Sequence, residues 1–192
     1  PAIRPGALEL CNSLDDDCDG AIDEATGWNN DPMVNNLLTG DSGGDAYAIS
    51  DGVGGMIVVW DKGYFGDGTQ DIYAQRIDAA GNVLWGPNGM AVCTAAQNQR
   101  LPKIVSDGAG GAIVVWVDSR GVDNIFDIYA QRISGSGVVQ WAPEGVPVCV
   151  MPGYQGQPDL CTDGNGGAYI VWVDQRPSIG TQVYSQRLDA NG

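Results

Sequence analysis

An acidic stretch near the start of the chain contains the residues whose types and spacing could do chemistry. Asp15, Asp17 and Asp19 alternate along it, and Gly20 follows where such a loop would have to turn sharply. Alternate carboxylates on a curling loop point at one centre, they repel one another without a cation, and Ca²⁺ prefers oxygen ligands. We therefore predict a calcium site that includes the carboxylates of Asp15, Asp17 and Asp19.

Residues 11–24 resemble known calcium loops. The aspartates and the glycine match positions 1, 3, 5 and 6 of an EF-hand loop, whereas position 12 is Thr26 instead of glutamate. The resemblance implies that the carbonyl of Ala21 and Asp23 are further ligands at positions 7 and 9. It also implies that Glu24, Asn12 or Glu9 replaces the missing glutamate. The Cys-Asn and Asp-Asp-Asp-Cys-Asp-Gly segments are similar to the metal-binding motif of secreted bacterial proteins and to thrombospondin type 3 calcium repeats. The resemblance implies calcium binding and an extracellular location. The alternative is a solvated acidic loop closed by a disulfide.

The spacing of the five cysteines indicates two disulfides. Cys11 and Cys18 lie close together in the acidic loop, and Cys149 and Cys161 flank a predicted connection between strands. Closely spaced cysteines of a secreted chain usually pair, so we predict the disulfides Cys11–Cys18 and Cys149–Cys161. Cys93 has no obvious partner. The alternative for Cys93 and Cys149 is that they are small apolar residues at one repeat position.

The composition narrows the classes of function. The chain has 192 residues and a formal net charge of −15, so its surface should repel the phosphates of nucleic acids. It contains no histidine, the commonest general base. No apolar run approaches the roughly 20 residues that a membrane helix needs. Because the chain starts at Pro1, we expect it to be processed or to be a piece of a longer protein.

A repeat of 56 residues organises most of the chain. Trp60, Trp116 and Trp172 keep this step, as do the glycines that open the three copies. A fixed period of this length is typical of a repeat architecture with one supersecondary unit per period. We place the copies at residues 38–93, 94–149 and 150–192.

Each copy predicts four short antiparallel strands. In the second copy they span 102–106, 112–117, 127–133 and 138–141, with a glycine-rich hairpin turn after the first. Four such strands per unit are typical of a propeller blade. The segments Asp-Gly-x-Gly-Gly, Val-Val-Trp and Asp-Ile-Tyr-Ala-Gln-Arg also resemble propeller-like repeats of large secreted bacterial proteins, which implies the same fold and location.

The two ends of the repeat region complement each other. The third copy stops before its fourth strand, and residues 27–37 form a surplus segment where a fourth strand would precede the first copy. Propellers have about 4–8 blades, so three should not close a ring, and an open edge can pair with another copy. The residues expected to make this contact are Trp28, Met33, Val34 and Leu37.

We therefore predict an all-β fold with two domains. Residues 1–26 form a small calcium-loop module closed by a disulfide. Residues 27–192 form an open or incomplete β-propeller of three four-stranded antiparallel repeats, in which the last repeat lacks its final strand and 27–37 is the spare strand.

Recurring polar residues outside the acidic loop are interpreted as structural. Asp118-x-Arg120 and Asp174-x-Arg176 are predicted to be local ion pairs. The Gln-Arg pair of the third strand occurs in every copy, which argues against a single active site. The aspartate of each Asp-Gly-x-Gly-Gly segment is interpreted as a turn residue.

The favoured hypothesis is an extracellular structural or adhesive protein, stabilised by calcium, that assembles head to tail with other copies of itself into a filament or surface assembly. One alternative is a propeller module that binds a glycan or another ligand through Tyr64, Phe65 and Phe126 in its long loops. Another is a fragment of a larger secreted repeat protein. We expect no enzymatic activity, because no unique constellation of catalytic groups stands out.

Overall fold

The protein is described by a computed structural model, which describes residues 38, 43–64, 70–121, 125–177 and 180–192. Within these ranges every regular element is a β-strand, and the paired strands run antiparallel. The predicted all-β class is therefore confirmed. The predicted module 1–26 and the spare strand 27–37 lie outside the described residues. No helix long and apolar enough to cross a membrane occurs among the described residues.

Three antiparallel sheets follow one another along the chain. Sheet 1 contains β1 (Gly43–Ser50), β2 (Met56–Lys62), β3 (Asp71–Ile77) and β4 (Met90–Cys93) in that spatial order. Sheet 2 contains β5 (Gln99–Ser106), β6 (Ala112–Asp118), β7 (Asp127–Ile133) and β8 (Val146–Cys149). Sheet 3 contains β9 (Tyr154–Thr162), β10 (Ala168–Gln175) and β11 (Gln182–Leu188), with β10 in the middle.

A tight turn joins the first two strands of each sheet. In sheet 2, Asp107 Oδ1 accepts hydrogen bonds from the backbone N–H groups of Ala109 and Gly111, both at 2.8 Å. A Cβ atom on Gly111 would lie 2.1 Å from the carbonyl oxygen of Ile133. The repeated Asp-Gly-x-Gly-Gly segment is therefore a turn motif, as predicted, and it packs closely against the end of the third strand.

The fourth strand of a repeat lies later in the chain than predicted. The prediction placed it at 138–141, but in the structure it is Val146–Cys149, and Val139 forms only an isolated bridge with Ile133. The side chain of Gln131 binds the backbone of the intervening turn instead. A side-chain hydrogen bond can stand in for a ladder bond, and the apolar pattern of 138–141 does not reveal it.

The three sheets pack face against face, and every sheet uses its two faces differently. We call the face toward the following sheet the forward face and the opposite one the rear face. On the forward face of sheet 1, Val59 and Ala74 pack against Val114 and Trp116 of the rear face of sheet 2. The forward face of sheet 2 packs in the same way on the rear face of sheet 3, through Ile113, Val115 and Ile128 on one side and Ile170, Trp172 and Leu188 on the other.

The second strand of sheet 2, β6, is buried on both faces. Every residue of β6 is buried, including Trp116, which has no exposed surface. Removing that much apolar surface from water stabilises the fold at roughly 25 cal/mol per Å². The first strands of the sheets also meet, because β5 contacts both β1 and β9. On the rear face of sheet 1, Leu38 packs against the cluster of Val58, Trp60 and Ile77.

Candidate functional site: the forward face and edge of sheet 3

The predicted calcium ligands lie outside the residues that the structure describes, namely Asn12, Asp15, Asp17, Asp19, Ala21, Asp23 and Glu24. The same is true of Cys11 and Cys18 and of the predicted assembly residues Trp28, Met33, Val34 and Leu37. Within the described ranges, no group of three or more Asp, Glu, Cys or His side chains could hold a metal ion. The calcium site and these contacts therefore stay predictions.

An ion pair closes the first turn of every sheet. The Asp51 carboxylate pairs with Arg76 at 2.8 Å in sheet 1, and Asp163 pairs with Arg187 at 2.6 Å in sheet 3. The backbone N–H of Val53, followed by the Arg76 guanidinium, lowers the pKa of Asp51. Because the second oxygen of each carboxylate already serves the turn, these aspartates hold the fold together, which agrees with their structural interpretation.

The arginine of sheet 1 also reaches sheet 2. Arg76 Nη1 and Trp85 Nε1 both donate to the carbonyl oxygen of Gly135, at 2.8 and 3.3 Å. The Trp85 ring lies against the nearby Gly137, where a Cβ atom would come within 2.8 Å of the ring. We call this shared contact, with an arginine and a tryptophan of one sheet on one carbonyl of the next, the clasp.

The clasp recurs one repeat later and then stops. Arg132 Nη1 and Trp141 Nε1 both donate to the carbonyl oxygen of Ala190 at 3.1 Å. Arg187, the equivalent residue of sheet 3, binds the carboxylate of Asp163. Within the described part of the chain it donates to no carbonyl of another sheet. The side chain of Arg187 is 50% exposed, against 19% for Arg132, so sheet 3 presents half of a clasp to solvent.

A second contact between sheets 1 and 2 surrounds Arg120. Its guanidinium bonds to Asp118 and donates to the Glu144 carbonyl at 2.9 Å, and it lies 4.0 Å from the centre of the Tyr129 ring. It also contacts the Cys93 Sγ of sheet 1 at 3.1 Å. Burial raises the pKa of the Cys93 thiol to about 12. Cys93 is therefore a buried, protonated thiol at an interface between sheets.

The same arrangement joins sheets 2 and 3. Arg176 pairs with Asp174, stacks 4.1 Å from the centre of the Tyr184 ring and contacts Cys149 Sγ at 3.6 Å. Burial alone would raise the pKa of Asp174, but hydrogen bonds from Trp172 and Arg176 lower it. The two Asp-x-Arg segments are ion pairs, as predicted. They also contact the preceding sheet, which sequence reasoning missed, although the shared 56-residue step of arginine and cysteine was a signal for it.

The first repeat departs from this arrangement. Lys62 occupies the position of Asp118, and its ammonium lies 4.5 Å from the centre of the Tyr73 ring. In sheet 2 the Trp116 Nε1 donates to Asp118 at 2.9 Å, whereas the Trp60 Nε1 is buried without a hydrogen-bond partner. Sheet 1 carries Lys62 and Tyr64 at the positions of Asp118 and Arg120, so its described residues do not form this ion pair.

The predicted disulfide Cys149–Cys161 is not formed, since both residues are free thiols. Cys149 Sγ lies 3.8 Å from Asp174 Oδ2, near one end of β10. Cys161 pairs in register with Tyr169, near the other end. Five residues of a strand span about 17 Å, far more than the roughly 4.4–6.8 Å between Cα atoms that a disulfide allows. The alternative interpretation of Cys149 as a small buried residue is correct.

The forward face of sheet 3 is exposed, although its equivalents in the other sheets are buried. Tyr169, Val171 and Val183 are 50%, 42% and 77% exposed. The residues at the same repeat positions of sheet 2 are Ile113, Val115 and Ile128, which are completely buried against sheet 3. Exposed apolar surface of this kind marks interaction sites.

The outer edge of sheet 3 is also uncovered within the described residues. In sheet 2 the buried Gln131 donates to the Ala142 carbonyl and accepts from the Trp141 N–H, so the chain beyond β7 is fixed to it. In sheet 3 the equivalent Gln186 is exposed and accepts only from the N–H of Arg187. β11 is the terminal strand of its sheet. Such an edge presents backbone donors and acceptors that can pair with another strand.

The aromatic residues of the long loops have different surroundings. Tyr64 is 71% exposed and lines a cavity of about 420 Å³ with Asp45, Asp61 and other residues. Phe126 packs edge-on against Tyr154 with ring centres 6.3 Å apart, and it belongs to the core between sheets 2 and 3. Phe65 lies outside the described residues. Of the two described aromatics, only Tyr64 is free to contact a ligand.

Comparison with known proteins adds information about the N-terminal stretch and the fold. The family model Cu-binding_MopE, which describes a metal-binding motif, matches residues 1–24. The resemblance to a metal-binding motif is therefore confirmed, whereas the links to EF-hand loops and thrombospondin repeats stay predictions. No curated protein sequence matches the chain.

Solved structures include a similar one. The endo-arabinase from Bacteroides thetaiotaomicron VPI-5482 aligns with a TM-score of 0.47 and 18% sequence identity, over 82% of this chain and 60% of that chain. The chain therefore covers less than two thirds of that protein.

Proposed function

We propose that the protein is an extracellular structural or adhesive subunit that associates head to tail with other copies of itself, through the forward face and the outer edge of sheet 3. The observation that carries the proposal is the exposed apolar face at Tyr169, Val171 and Val183, because its equivalent in sheet 2 is a fully buried interface. The neighbouring copy supplies a segment that pairs with β11. The protein acts as a building unit and not as an enzyme.

The repeated contacts specify what the partner must offer. Arg187 would complete a clasp on a backbone carbonyl of the partner, as Arg132 does on Ala190. An apolar surface would cover Val171 and Val183, as sheet 3 covers Val115 and Ile128 of sheet 2. The contact would join one surface of a copy to a different surface of the next copy, which is a head-to-tail contact. Such contacts extend into a filament unless the rotation between copies closes a ring.

The spacing of the fourth strands points to residues 27–37 as the donated segment. β4 begins five residues after Trp85, and β8 begins five residues after Trp141. Met33 follows Trp28 by the same spacing, so residues 27–37 carry the sequence signature of a fourth strand. Strand addition to an exposed edge is an established mode of recognition, since backbone hydrogen bonds supply affinity and alternate side chains supply specificity.

The N-terminal loop is proposed to bind calcium rather than copper. Its proposed ligands are carboxylate, amide and carbonyl oxygens, and residues 9–24 contain neither histidine nor methionine. The two cysteines of this segment, Cys11 and Cys18, are expected to pair with each other in a disulfide and so to offer no thiolate. Oxygen donors suit Ca²⁺, whereas imidazole and sulfur donors suit copper. A bound Ca²⁺ would neutralise the carboxylates of Asp15, Asp17 and Asp19 and so hold the loop, which lies next to the proposed donor segment, in one conformation. An acidic, metal-stabilised chain of this kind also agrees with an extracellular location.

Negative-stain electron microscopy and light scattering of the full chain in calcium test the assembly. We expect regular filaments or closed rings for the native chain and monomers for Val183→Glu, because a charge would be buried at the interface. Val53→Glu is the matched control, since Val53 is 73% exposed but lies in a turn of sheet 1. Chelation of calcium should shift the native chain toward monomers.

A peptide with the sequence of residues 27–37 tests the donated strand. Added in excess to the full chain, it should shorten or dissolve the assemblies, while the same peptide carrying Met33→Asp and Val34→Asp should not. Monomers at every concentration of the native chain, or assembly of Val183→Glu equal to that of Val53→Glu, would refute the proposal. Binding of the peptide by a chain that stays monomeric would instead identify the partner as a further repeat of a longer chain.

A further inference from the structure

One position of the repeat carries a different functional side chain in each copy. Tyr47 in β1, Lys103 in β5 and Asp159 in β9 are 56 residues apart. At positions that hold the fold together, such as Trp60, Trp116 and Trp172, the three copies carry the same residue. A packing role would favour one residue type at equivalent positions of the three copies. An aromatic ring, an ammonium and a carboxylate at these positions instead indicate a binding site to which each copy contributes a different chemical group.

These three residues converge on one cavity. The first strands of the sheets lie side by side, with β5 between β1 and β9, and a cavity of about 320 Å³ opens between them. Besides Tyr47, Lys103 and Asp159, its walls are formed by Leu101, Gln157 and Pro158. The volume lies within the usual range for small-molecule sites.

Local backbone geometry aims the side chains of this cavity. Leu101 and Gln157 occupy equivalent positions and have positive φ angles of 53° and 52°. The strand register shifts at both sites, between Arg100 and Lys103 in β5 and at the corresponding point of β9. Such bulges bend a strand and redirect its side chains. The backbone N–H of Leu101 donates to the buried Asp61 at 3.3 Å, which fixes the bulge of β5.

The side chains offer donors, an acceptor and a ring face. The ammonium of Lys103 lies 3.6 Å from the centre of the Tyr47 ring, and Tyr47 remains 38% exposed. Asp159 is exposed, and one of its oxygens accepts from the N–H of Leu160 at 2.9 Å. Gln157 adds an amide that can both donate and accept. Hydroxyl groups can satisfy all of these groups at once.

We propose that this cavity binds a neutral saccharide. The C–H face of a sugar ring would stack on Tyr47 in place of the Lys103 ammonium, and Lys103, Gln157 and Asp159 would hydrogen-bond its hydroxyl groups. A neutral ligand fits better than an acidic one, because Asp159 and a net charge of −15 would repel an added carboxylate. Tyr47 and Lys103 lie in sheets 1 and 2, away from the sheet 3 interface, whereas Asp159 pairs in register with Val171 of that face. Tyr47→Ala is therefore the variant whose effect does not depend on self-association.

Titration of the full chain with neutral oligosaccharides tests this site. The probes are maltopentaose, cellopentaose, xylopentaose, galactopentaose and mannopentaose. Their binding is measured by saturation-transfer difference NMR and by calorimetry. We expect at least one probe to bind with a millimolar or tighter Kd. Tyr47→Ala should weaken that binding at least tenfold, Asp159→Asn should also weaken it, and Tyr47→Phe should retain it, because the ring face is kept.

Leu84→Ala is the matched control. Leu84 is also a half-exposed large apolar residue, but it lies between β3 and β4 of sheet 1, outside the cavity and outside the sheet 3 interface. Its binding should equal that of the native chain, and thermal unfolding of each variant separates lost binding from lost folding. The proposal is overturned if no probe binds at millimolar concentration, or if Leu84→Ala weakens binding as much as Tyr47→Ala in folded protein.

Discussion

Arg76 and Arg132 each join two sheets, because a guanidinium has enough donors to serve several acceptors at once. One part of the group pairs with the aspartate of its own turn, and Nη1 donates to a carbonyl of the next sheet. Arg187 has the first contact and lacks the second within the described residues. A comparison of Arg132 with Arg187 therefore separates the contribution of the turn ion pair to stability from that of the contact between sheets.

Replacement of these arginines by lysine should have unequal effects on stability. Arg132→Lys keeps the charge but loses the second acceptor, so we expect the free energy of unfolding to fall by about 1.5–3 kcal/mol, as for a lost charged hydrogen bond. Arg187→Lys should cost clearly less than Arg132→Lys, because a half-exposed ion pair contributes little. Urea unfolding of monomeric protein at neutral pH measures both. Equal losses would show that the clasp contributes nothing.

The three described cysteines should differ in reactivity. Cys161 is exposed, whereas Cys93 and Cys149 are buried, and burial raises the pKa of both buried thiols. Because the thiolate is the nucleophile, iodoacetamide at neutral pH should modify Cys161 first. Mass spectrometry of the digested protein locates the label, and denatured protein is the control, in which all three should react alike. Early labelling of Cys149 would contradict its described burial.

Acid should weaken the turns of sheets 1 and 3. The pKa of Asp51 is lowered mainly by the N–H of Val53, and that of Asp163 mainly by Arg187. A carboxylate with a lowered pKa stabilises the fold above its unfolded pKa of about 3.9, and this stability is lost as the pH falls through its folded value. The melting temperature of the native chain should therefore decrease when the pH is lowered below about 4.

Asp51→Asn provides the comparison for that experiment. It should have a lower melting temperature than the native chain at pH 7 and a smaller difference at pH 2–3, where the native carboxylate is also protonated. A difference that does not change between the two pH values would mean that the Asp51 carboxylate does not contribute through its charge.

Among individual residues, the sequence was informative wherever it repeats. The Gln-Arg pairs and the turn aspartates have the structural roles that their recurrence predicted. The pairing of Cys149 with Cys161 was wrong, because proximity along the chain does not report that a strand separates them by about 17 Å. The clasp could not be predicted either, since its acceptors are backbone carbonyls and leave no sequence signal.

At the scale of elements, the turn glycines provide a test of why the motif repeats. Gly111→Ala should lower the free energy of unfolding by about 2 kcal/mol or more, because its Cβ would clash with the Ile133 carbonyl. Gly108 has a positive φ of 76° but open space around it, so Gly108→Ala should cost only about 1 kcal/mol. Chemical denaturation compares the two, and Gly108→Ala is the matched control. The reverse order would show that backbone conformation outweighs the clash.

Strand prediction succeeded where the apolar pattern was strong and failed where side chains replace the ladder. β6 and β7 lie where the pattern placed them, apart from one added residue, Asp118. The fourth strand has only four residues in each of the first two sheets and follows a turn held by Gln75 or Gln131. A short apolar run such as 138–141 is as good a strand candidate as the true one, Val146–Cys149, so periodicity alone could not choose between them.

At the scale of the whole molecule, charge and interface oppose each other. The chain carries a net charge of −15, so copies repel one another, while the proposed interface is apolar. Salt screens the repulsion, with a Debye length of about 10 Å at 0.1 M. Sedimentation velocity at low and moderate NaCl should therefore show stronger self-association at the higher salt. Val183→Glu should stay monomeric in both, and weaker association of the native chain at higher salt would indicate an interface held by ion pairs.

The division of labour between the two faces of each sheet has a consequence for the length of the protein. Sheet 2 packs Val115, Ile128 and Ala130 against sheet 3, and sheet 1 packs the same residue types, Val59, Ile72 and Ala74, against sheet 2. The forward face of one sheet therefore fits the rear face of another. A further copy of residues 94–149 inserted after Cys149 would meet a compatible neighbour on both sides. The length of the protein could therefore change in whole repeats of 56 residues, because each added repeat supplies both of the faces that its neighbours need.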